Sequence, residues 1–239
     1  MFLLGTRIDN LSLDEALEKI EGFLSDDRQH HIVLPYADFL VQARKDEEFR
    51  RILNEADLSL SDGIGPVLAS RIIGQEALKE RIMGVDLVWA IFDKFGAHYS
   101  VFLYGAKEGV AKEAAEKIKV KSPSTKITGT LNGYVSDEEV ITAINASGAE
   151  ILLVALGMPK QEKWIYNNLK KLPTVKLAIG VGGAFNFISR RTRRAPRLMQ
   201  KIGLEWLWRL VFQPSQWRKT WRSVAVFSWL VLKSIFQHS

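Results

Sequence analysis

An aspartate with two closely following glycines is the first candidate for chemistry in this sequence. Asp62, Gly63 and Gly65 come directly after the stretch Leu-Ser-Leu-Ser at 58–61. One interpretation is a turn, in which the carboxylate bonds to nearby backbone N–H groups. The other is a carboxylate held at a strand end and facing a pocket, where it could remove a proton from an alcohol. The local sequence leaves both alternatives open.

Loops that contain glycine follow several apolar runs. They hold Gly105, Gly157 and the trio Gly180, Gly182 and Gly183. In open α/β sheets, ligands lie at the carboxyl ends of the strands, where helix N-termini can hold phosphate. Each loop taken alone could also be an ordinary turn. Residues 105–109 form neither a Walker loop nor a complete GxGxxG motif, so kinase, P-loop NTPase and NAD-dehydrogenase functions lose their main support.

The composition limits the chemistry further. The 239-residue chain has no cysteine and four histidines, which excludes disulfides, thiolate metal sites and a cysteine nucleophile. The spacing of the histidines suits no familiar zinc motif. With 47% hydrophobic and 25% charged residues, the chain should be globular. The N-terminus carries a charge within seven residues, so we expect no secretory signal and a cytoplasmic protein.

Positive charge and tryptophan are concentrated at the C-terminus. Residues 190–239 carry eleven Lys or Arg, one acid and five of the seven tryptophans. Their charge of +10 leaves −4 on residues 1–189. This segment suggests an anionic partner, either a membrane surface or a nucleic acid. The apolar run Val224–Leu232 favours a membrane surface, and it is shorter than the roughly 20 residues that a spanning helix needs. The competing interpretation is that these tryptophans pack on the body or in a homo-oligomer interface.

The body that must position these residues alternates between strand and helix patterns. Near-continuous apolar runs predict buried parallel strands at 31–34, 100–105, 151–156 and 176–181, with a weaker strand at 126–129. Helical spacing and capping boxes predict helices at 13–24, 38–54, 84–95, 110–118 and 136–147, and another that ends at Leu169. This alternation predicts a Rossmann-like, doubly wound α/β core over 1–189. A basic, Trp-rich helical appendage over 190–239 follows it.

Five segments along the chain together carry a family resemblance. They are ADLSLSDGIGPVLASR at 56–71, ERIMGVDL at 80–87, VALGMPKQEKWI at 154–165, GVGGAFNF at 180–187, and RRAP with GLEWLWRL within 193–210. In this order they resemble the WecG/TagA/CpsF family of bacterial enzymes, glycosyltransferase family 26. The resemblance implies transfer of a sugar, typically N-acetylmannosamine or its uronic acid, from UDP. The implied acceptor is a polyprenyl-diphosphate-linked N-acetylglucosamine at the cytoplasmic membrane face. The implied products are wall teichoic acid linkage units, enterobacterial common antigen or exopolysaccharide.

The resemblance implies roles for individual residues. Asp62 takes the position of the family's general base, and Arg81 that of the arginine before the GxDL motif. The implied chemistry needs no cofactor and no metal, because no Asp-x-Asp metal motif stands in a plausible loop. Arginines rather than a divalent ion would stabilise the charge that develops on the departing UDP. With the glycine loops, this gives the predicted substrate-binding residues Tyr36, Gly63, Gly105, Gly157, Lys160, Gln161, Glu162, Arg209 and Arg218. An exposed Gln161 at a plain helix start, and a solvated or lipid-facing Arg218, are the alternatives.

The sequence departs from the family pattern at three positions. Leu34 and Tyr36 replace a threonine and an asparagine, and Asn186 replaces the aspartate of a GAFD motif. These departures bear on the donor sugar and on the efficiency of catalysis, and they leave Asp62 in place. They keep open a catalytically idle family member, and the basic tail keeps open a nucleic-acid-binding α/β protein. The preferred hypothesis is an inverting, metal-independent glycosyltransferase that is peripheral on the inner face of the cell membrane.

Overall fold

The core of the protein is a parallel β-sheet. The computed structural model describes residues 1–73, 76–201, 203–205, 207–208 and 217–237. A short antiparallel hairpin, β1 (Phe2–Leu3) and β2 (Thr6–Arg7), precedes the sheet. The sheet strands are β3 (His30–Val33), β4 (Leu58–Ser59), β5 (Ser100–Gly105), β6 (Lys126–Leu131), β7 (Ile151–Ala155) and β8 (Leu177–Gly180). They lie side by side in the order β4-β3-β8-β7-β5-β6, and every neighbouring pair is parallel.

Helices cover both faces of this sheet. They are α1 (Leu13–Ser25), α2 (Ala37–Ala43), α3 (Glu47–Glu55), α4 (Ile64–Ile72), α5 (Gly84–Phe95), α6 (Val110–Lys121), α7 (Asp137–Ser147), α8 (Lys160–Asn168), α9 (Ala184–Ile188), α10 (Arg197–Lys201) and α11 (Trp217–Gln237). A 3₁₀ turn at Leu169–Lys171 ends α8. Side chains alternate across the sheet: Leu153 packs with α1, α5, α6 and α9, whereas Leu152 and Val154 pack with α7 and α8. The predicted Rossmann-like α/β core is confirmed.

The segment from α2 to α4 differs from the prediction in two ways. The region predicted to be helical over 38–54 is divided into two helices, because α2 ends at Ala43 and α3 begins at Glu47. Asp46 causes the break, since its side chain accepts a hydrogen bond from the backbone N–H of Phe49 at 3.0 Å and so caps α3. Helix α4 was not predicted, because Gly63 and Gly65 indicated a turn. Gly63 does make that turn, with φ of +81°, and the helix starts directly after it.

The C-terminal appendage contains the helices α10 and α11, as predicted, whereas residues 190–196 before them are not helical. Helix α11 packs on α2 and α4, where Phe227 and Val231 are buried among the apolar side chains of the N-terminal part of the chain. Trp221 and Trp229 of the same helix are 60% and 58% exposed. In the part of the chain that the structure describes, no helix has the length and apolar character to cross a bilayer. A functional division between residues 189 and 190 stays a prediction.

Candidate active site

A large cavity opens at the carboxyl ends of four adjacent strands, β4, β3, β8 and β7. Its volume is about 670 Å³, which suits a nucleotide-sized ligand. The loops after these strands form its floor, and α4, the start of α5 and one face of α11 form its walls. The described charged side chains that line it are Asp38, Asp62, Arg81, Arg194 and Glu205. The cavity therefore combines carboxylates with guanidinium groups at the usual ligand position of an open α/β sheet.

Asp62 lies at the carboxyl end of β4 and lines this cavity. Its backbone N–H donates to the carbonyl of Pro35 at 3.0 Å, which ties the loop after β4 to the loop after β3. On its other side, a Cβ built on Gly84 would lie 3.7 Å from Oδ2 of Asp62, so α5 begins directly beside the carboxylate. The sequence alternative of a strand-end carboxylate facing a pocket is thus the arrangement observed, which allows Asp62 to act as a proton acceptor.

Arg81 brings a positive charge to the same cavity from the segment before α5. This segment is fixed next to Asp62, since the backbone N–H of Ile82 donates to the carbonyl of Ser61 at 2.9 Å. The guanidinium Nη2 of Arg81 donates to the backbone carbonyl of Gln200 in α10. The predicted base, in the loop after β4, and the predicted phosphate-binding arginine, in the segment between α4 and α5, therefore line the same cavity.

Gln161 connects two of the glycine loops under the cavity. Its side-chain Oε1 accepts hydrogen bonds from the backbone N–H groups of Gly157 at 3.1 Å and Gly182 at 3.0 Å. The residue lines the cavity and is only 2% exposed, so the alternative of an exposed Gln161 is wrong. Gly180 has no room for a side chain, because a Cβ there would lie 2.7 Å from Nε2 of Gln161. Gln161 thus holds the ends of β7 and β8 in one fixed arrangement.

The buried carboxyl group of Glu162 contacts the Gln161 side chain. Its Oε1 accepts a hydrogen bond from Nε2 of Gln161 at 2.7 Å, and the residue is 0% exposed. Its second oxygen, Oε2, is buried and makes no hydrogen bond with the described residues. Burial disfavours the charged carboxylate and raises the pKa of Glu162 to about 7, although the bond from Gln161 opposes this shift. The side chain therefore fixes the orientation of the Gln161 amide.

The raised pKa of Glu162 predicts a loss of stability as the pH rises. In the unfolded chain this carboxyl titrates near 4.5, whereas in the folded protein its pKa is about 7. Below pH 4.5 the carboxyl is protonated in both states. Between pH 4.5 and 7 it loses its proton in the unfolded state but keeps it in the folded state, which lowers the free energy of the unfolded state relative to the folded state. We expect the free energy of unfolding to fall by about 3 kcal/mol over this range from Glu162 alone. Urea denaturation at pH 5 and pH 8 measures it.

The matched variant is Glu162→Gln, whose amide carbonyl can still accept from Gln161 but does not titrate. We expect it to lose most of the fall in unfolding free energy between the two pH values. Glu18→Gln on the exposed side of α1 serves as the control and should keep the wild-type pH dependence. An unchanged pH dependence in Glu162→Gln would show that the carboxyl is charged in the folded protein at pH 5.

Only some of the other predicted binding residues line the cavity. Tyr36, Gly63 and Gly157 line the cavity. Gly105 and the exposed Lys160 are not among its lining residues. A Cβ on Gly105 would lie 2.6 Å from the backbone of Ala155, so this glycine allows β5 and β7 to approach closely. Substrate binding by Gly105 and Lys160 stays a prediction.

Two predicted residues lie outside what the structure describes. Arg209 falls in the undescribed range 209–216. Arg218 belongs to α11, but its side chain is not described. Among the described residues, no group of three or more His, Asp or Glu side chains could hold a metal ion. The absence of a cofactor stays a prediction.

Several lining residues were not predicted from the sequence. They are the acidic Asp38 and Glu205, the basic Arg194, and the α11 side chains Val224, Phe227, Val231 and Leu232. Arg194 stands within the RRAP segment, and that motif was the one available signal for it. Helical spacing indicates which side chains of α11 share a face. Nothing in the sequence indicates that one of these faces lines a cavity formed by the rest of the protein.

Comparisons with known proteins place this geometry in a family context. The model of the "Glycosyl transferase WecG/TagA/CpsF family" matches residues 1–239. A curated protein of Bacillus spizizenii is 36% identical over 199 residues, which are 82% of this chain and 77% of that protein. A relative in Bacillus subtilis is 35% identical over 193 residues, or 80% of this chain and 74% of the relative. Both are named N-acetylglucosaminyldiphosphoundecaprenol N-acetyl-beta-D-mannosaminyltransferase.

Proposed function

The chain belongs to the WecG/TagA/CpsF family of glycosyltransferases, and on this premise we propose that it transfers N-acetylmannosamine from UDP to a polyprenyl-diphosphate-linked N-acetylglucosamine. The observation that carries the proposal is one cavity at the strand ends that holds both the carboxylate of Asp62 and the guanidinium of Arg81. The reaction needs both groups: a base for the acceptor hydroxyl and a cation for the leaving diphosphate. Direct attack on the anomeric carbon would invert its configuration.

The donor diphosphate would bind mainly to arginines. Two backbone N–H groups at the floor of the cavity, those of Gly157 and Gly182, already donate to Gln161. The diphosphate would therefore rely on guanidinium groups, which bind phosphate in bidentate fashion and need no divalent ion to do so. Arg81 and Arg194 are the described arginines that line the cavity, and Arg194 is paired with Asp86, so Arg81 is the candidate among them. Arg209 is the candidate from the tail.

The acceptor would approach along an apolar wall. Leu68 and Ile72 of α4 and Leu232 of α11 line the cavity and are each about half exposed. Such a surface suits a prenyl chain, because it removes apolar area of both partners from water. We propose that the appendage, residues 190–239, associates with the inner face of the cell membrane, where a lipid-linked acceptor resides.

A transfer assay tests the proposed function. The purified protein is mixed with UDP-N-acetylmannosamine and a polyprenyl-diphosphate-linked N-acetylglucosamine analogue in detergent, and UDP release is measured. We expect release that requires the acceptor, that is lost with UDP-N-acetylglucosamine as donor, and that persists in a chelator of divalent ions. No release, as in a catalytically idle protein, or release at the same rate without acceptor would contradict the proposal. Loss of activity in the chelator would contradict only metal independence.

The nucleic-acid-binding alternative is not favoured. Its support was the basic tail, but tail residues of α11 line the same cavity as Asp62. The curated relatives that cover about four fifths of the chain are named as sugar transferases.

A further inference from the structure

An ion pair joins two segments at the rim of the cavity that are 108 residues apart in the sequence. The guanidinium of Arg194 donates from Nη1 and Nη2 to the two carboxylate oxygens of Asp86, each at 2.7 Å. The side chains are only 26% and 45% exposed. A bidentate pair of this kind fixes the orientation of the two groups as well as their distance.

Asp86 connects this pair to the predicted base. It lies in the first turn of α5, and its backbone N–H donates to the carbonyl of Met83 at 2.9 Å. The segment before it is bonded to Ser61 through Ile82, and Gly84 lies against Asp62, as described above. Any movement of the start of α5 would therefore displace the atoms that surround the carboxylate of Asp62.

Arg194 connects the pair to the start of the appendage. It lines the cavity, and the next residue, Ala195, is buried. The carbonyl of Ala195 accepts a hydrogen bond from Nε2 of Gln200 at 2.6 Å, and the carbonyl of Gln200 accepts from Arg81. Residues 194–200 thus contact the segment before α5 and its first turn at two points, through Arg194 with Asp86 and through Gln200 with Arg81.

We propose that Asp86 and Arg194 are positioning residues that hold the start of the appendage against Arg81 and so set the geometry of the donor site. This proposal rests on the proposed function, in which Arg81 binds the donor diphosphate. Neither residue needs to touch the donor, because both act through Arg81 and through the backbone of residues 194–200.

Variants that reverse the charge of Asp86, of Arg194 or of both test whether the two residues act as a pair. In Asp86→Arg and in Arg194→Asp, like charges replace the attraction, and we expect the KM for the UDP-sugar to rise about five- to tenfold. The unfolding temperature should stay close to that of the wild type, because the pair is partly exposed. The double variant, with the charges exchanged, should recover most of the wild-type KM. This recovery separates a paired role from two independent ones.

The structure offers a matched control. Arg191 makes a similar bidentate pair with Glu113 of α6, at 2.7 and 2.6 Å, and it also joins the start of the appendage to the body. Neither residue is among those that line the cavity. Arg191→Asp should therefore leave the KM for the UDP-sugar unchanged. An equal rise in KM in Arg191→Asp would show that general loosening of the appendage is the cause, and would overturn the specific role of Asp86 and Arg194.

Hydrogen exchange provides a measurement that needs no substrate. The backbone N–H groups of residues 194, 195 and 197–201 should exchange faster in both single variants than in the wild type. They should exchange at the wild-type rate in the double variant and in Arg191→Asp. If the wild type transferred no sugar, this experiment alone would decide whether the pair holds the segment. Unchanged exchange in Asp86→Arg, an unchanged KM in an active protein, or no recovery in the double variant would overturn the proposal.

Discussion

Asp62→Asn is expected to lower turnover by roughly 10²–10⁴-fold, the usual contribution of a positioned general base. The substitution keeps the size of the side chain and its hydrogen-bonding oxygen but removes its basicity, so the acceptor hydroxyl must attack without losing its proton to the enzyme. The fold should survive, because the bond that fixes the loop comes from the backbone N–H of Asp62 to Pro35. Steady-state UDP release with the lipid-linked acceptor measures the change, and UDP affinity should change far less.

Asp38 provides the control, because it is a second carboxylate that lines the same cavity. It stands in the first turn of α2, whereas Asp62 stands at a strand end between the loop after β3 and the start of α5. Asp38→Asn should therefore cost much less turnover than Asp62→Asn. A folded Asp62→Asn protein with turnover close to wild type would refute the assignment, and a large loss in Asp38→Asn alone would transfer the role of base to Asp38.

The central strands could be predicted because burial on both faces leaves a clear pattern. Ile151–Ala155 is apolar throughout, and both faces of this strand are covered by helices. The break between α2 and α3 was missed because Asp46 suits a helical surface as well as a cap. Helix α4 was missed because local glycine signals do not show how many residues after a turn are helical.

The cavity could be predicted only in part. The glycine loops follow predicted strands, and parallel strands place their carboxyl ends at one edge of the sheet. The role of Asp62 as base came from the family resemblance, since the local sequence left a plain turn equally open. The role of Gln161 could not be predicted, since its two N–H partners, Gly157 and Gly182, are brought together only by the pairing of β7 with β8. The pairing of Arg194 with Asp86 is likewise a contact of tertiary structure, for which helical and strand periodicity carry no signal.

A double variant of the exposed tryptophans, Trp221→Ser with Trp229→Ser, is expected to weaken binding to anionic vesicles by at least about tenfold. Both side chains are exposed on α11, and Leu232 of the same helix is about half exposed. Burial of only about 60 Å² of ring surface at about 25 cal/mol/Å² contributes about 1.5 kcal/mol, which is about tenfold in affinity. Lys233 lies 5.2 Å from the ring of Trp229, so a cation accompanies this exposed ring. Sedimentation with phosphatidylglycerol vesicles measures binding.

The fold should survive this double substitution, because α11 attaches to the body through the buried Phe227 and Val231. The control variant, Val120→Ser with Tyr134→Ser, removes two exposed apolar side chains from α6 and from the loop after β6. It should bind vesicles as the wild type does. Transfer to an acceptor embedded in vesicles should fall with vesicle binding, whereas transfer to a short-chain acceptor in solution should persist, because Asp62 and Arg81 are untouched. Vesicle binding that is undiminished in the tryptophan variant would assign those side chains to an interface with another copy of the protein instead.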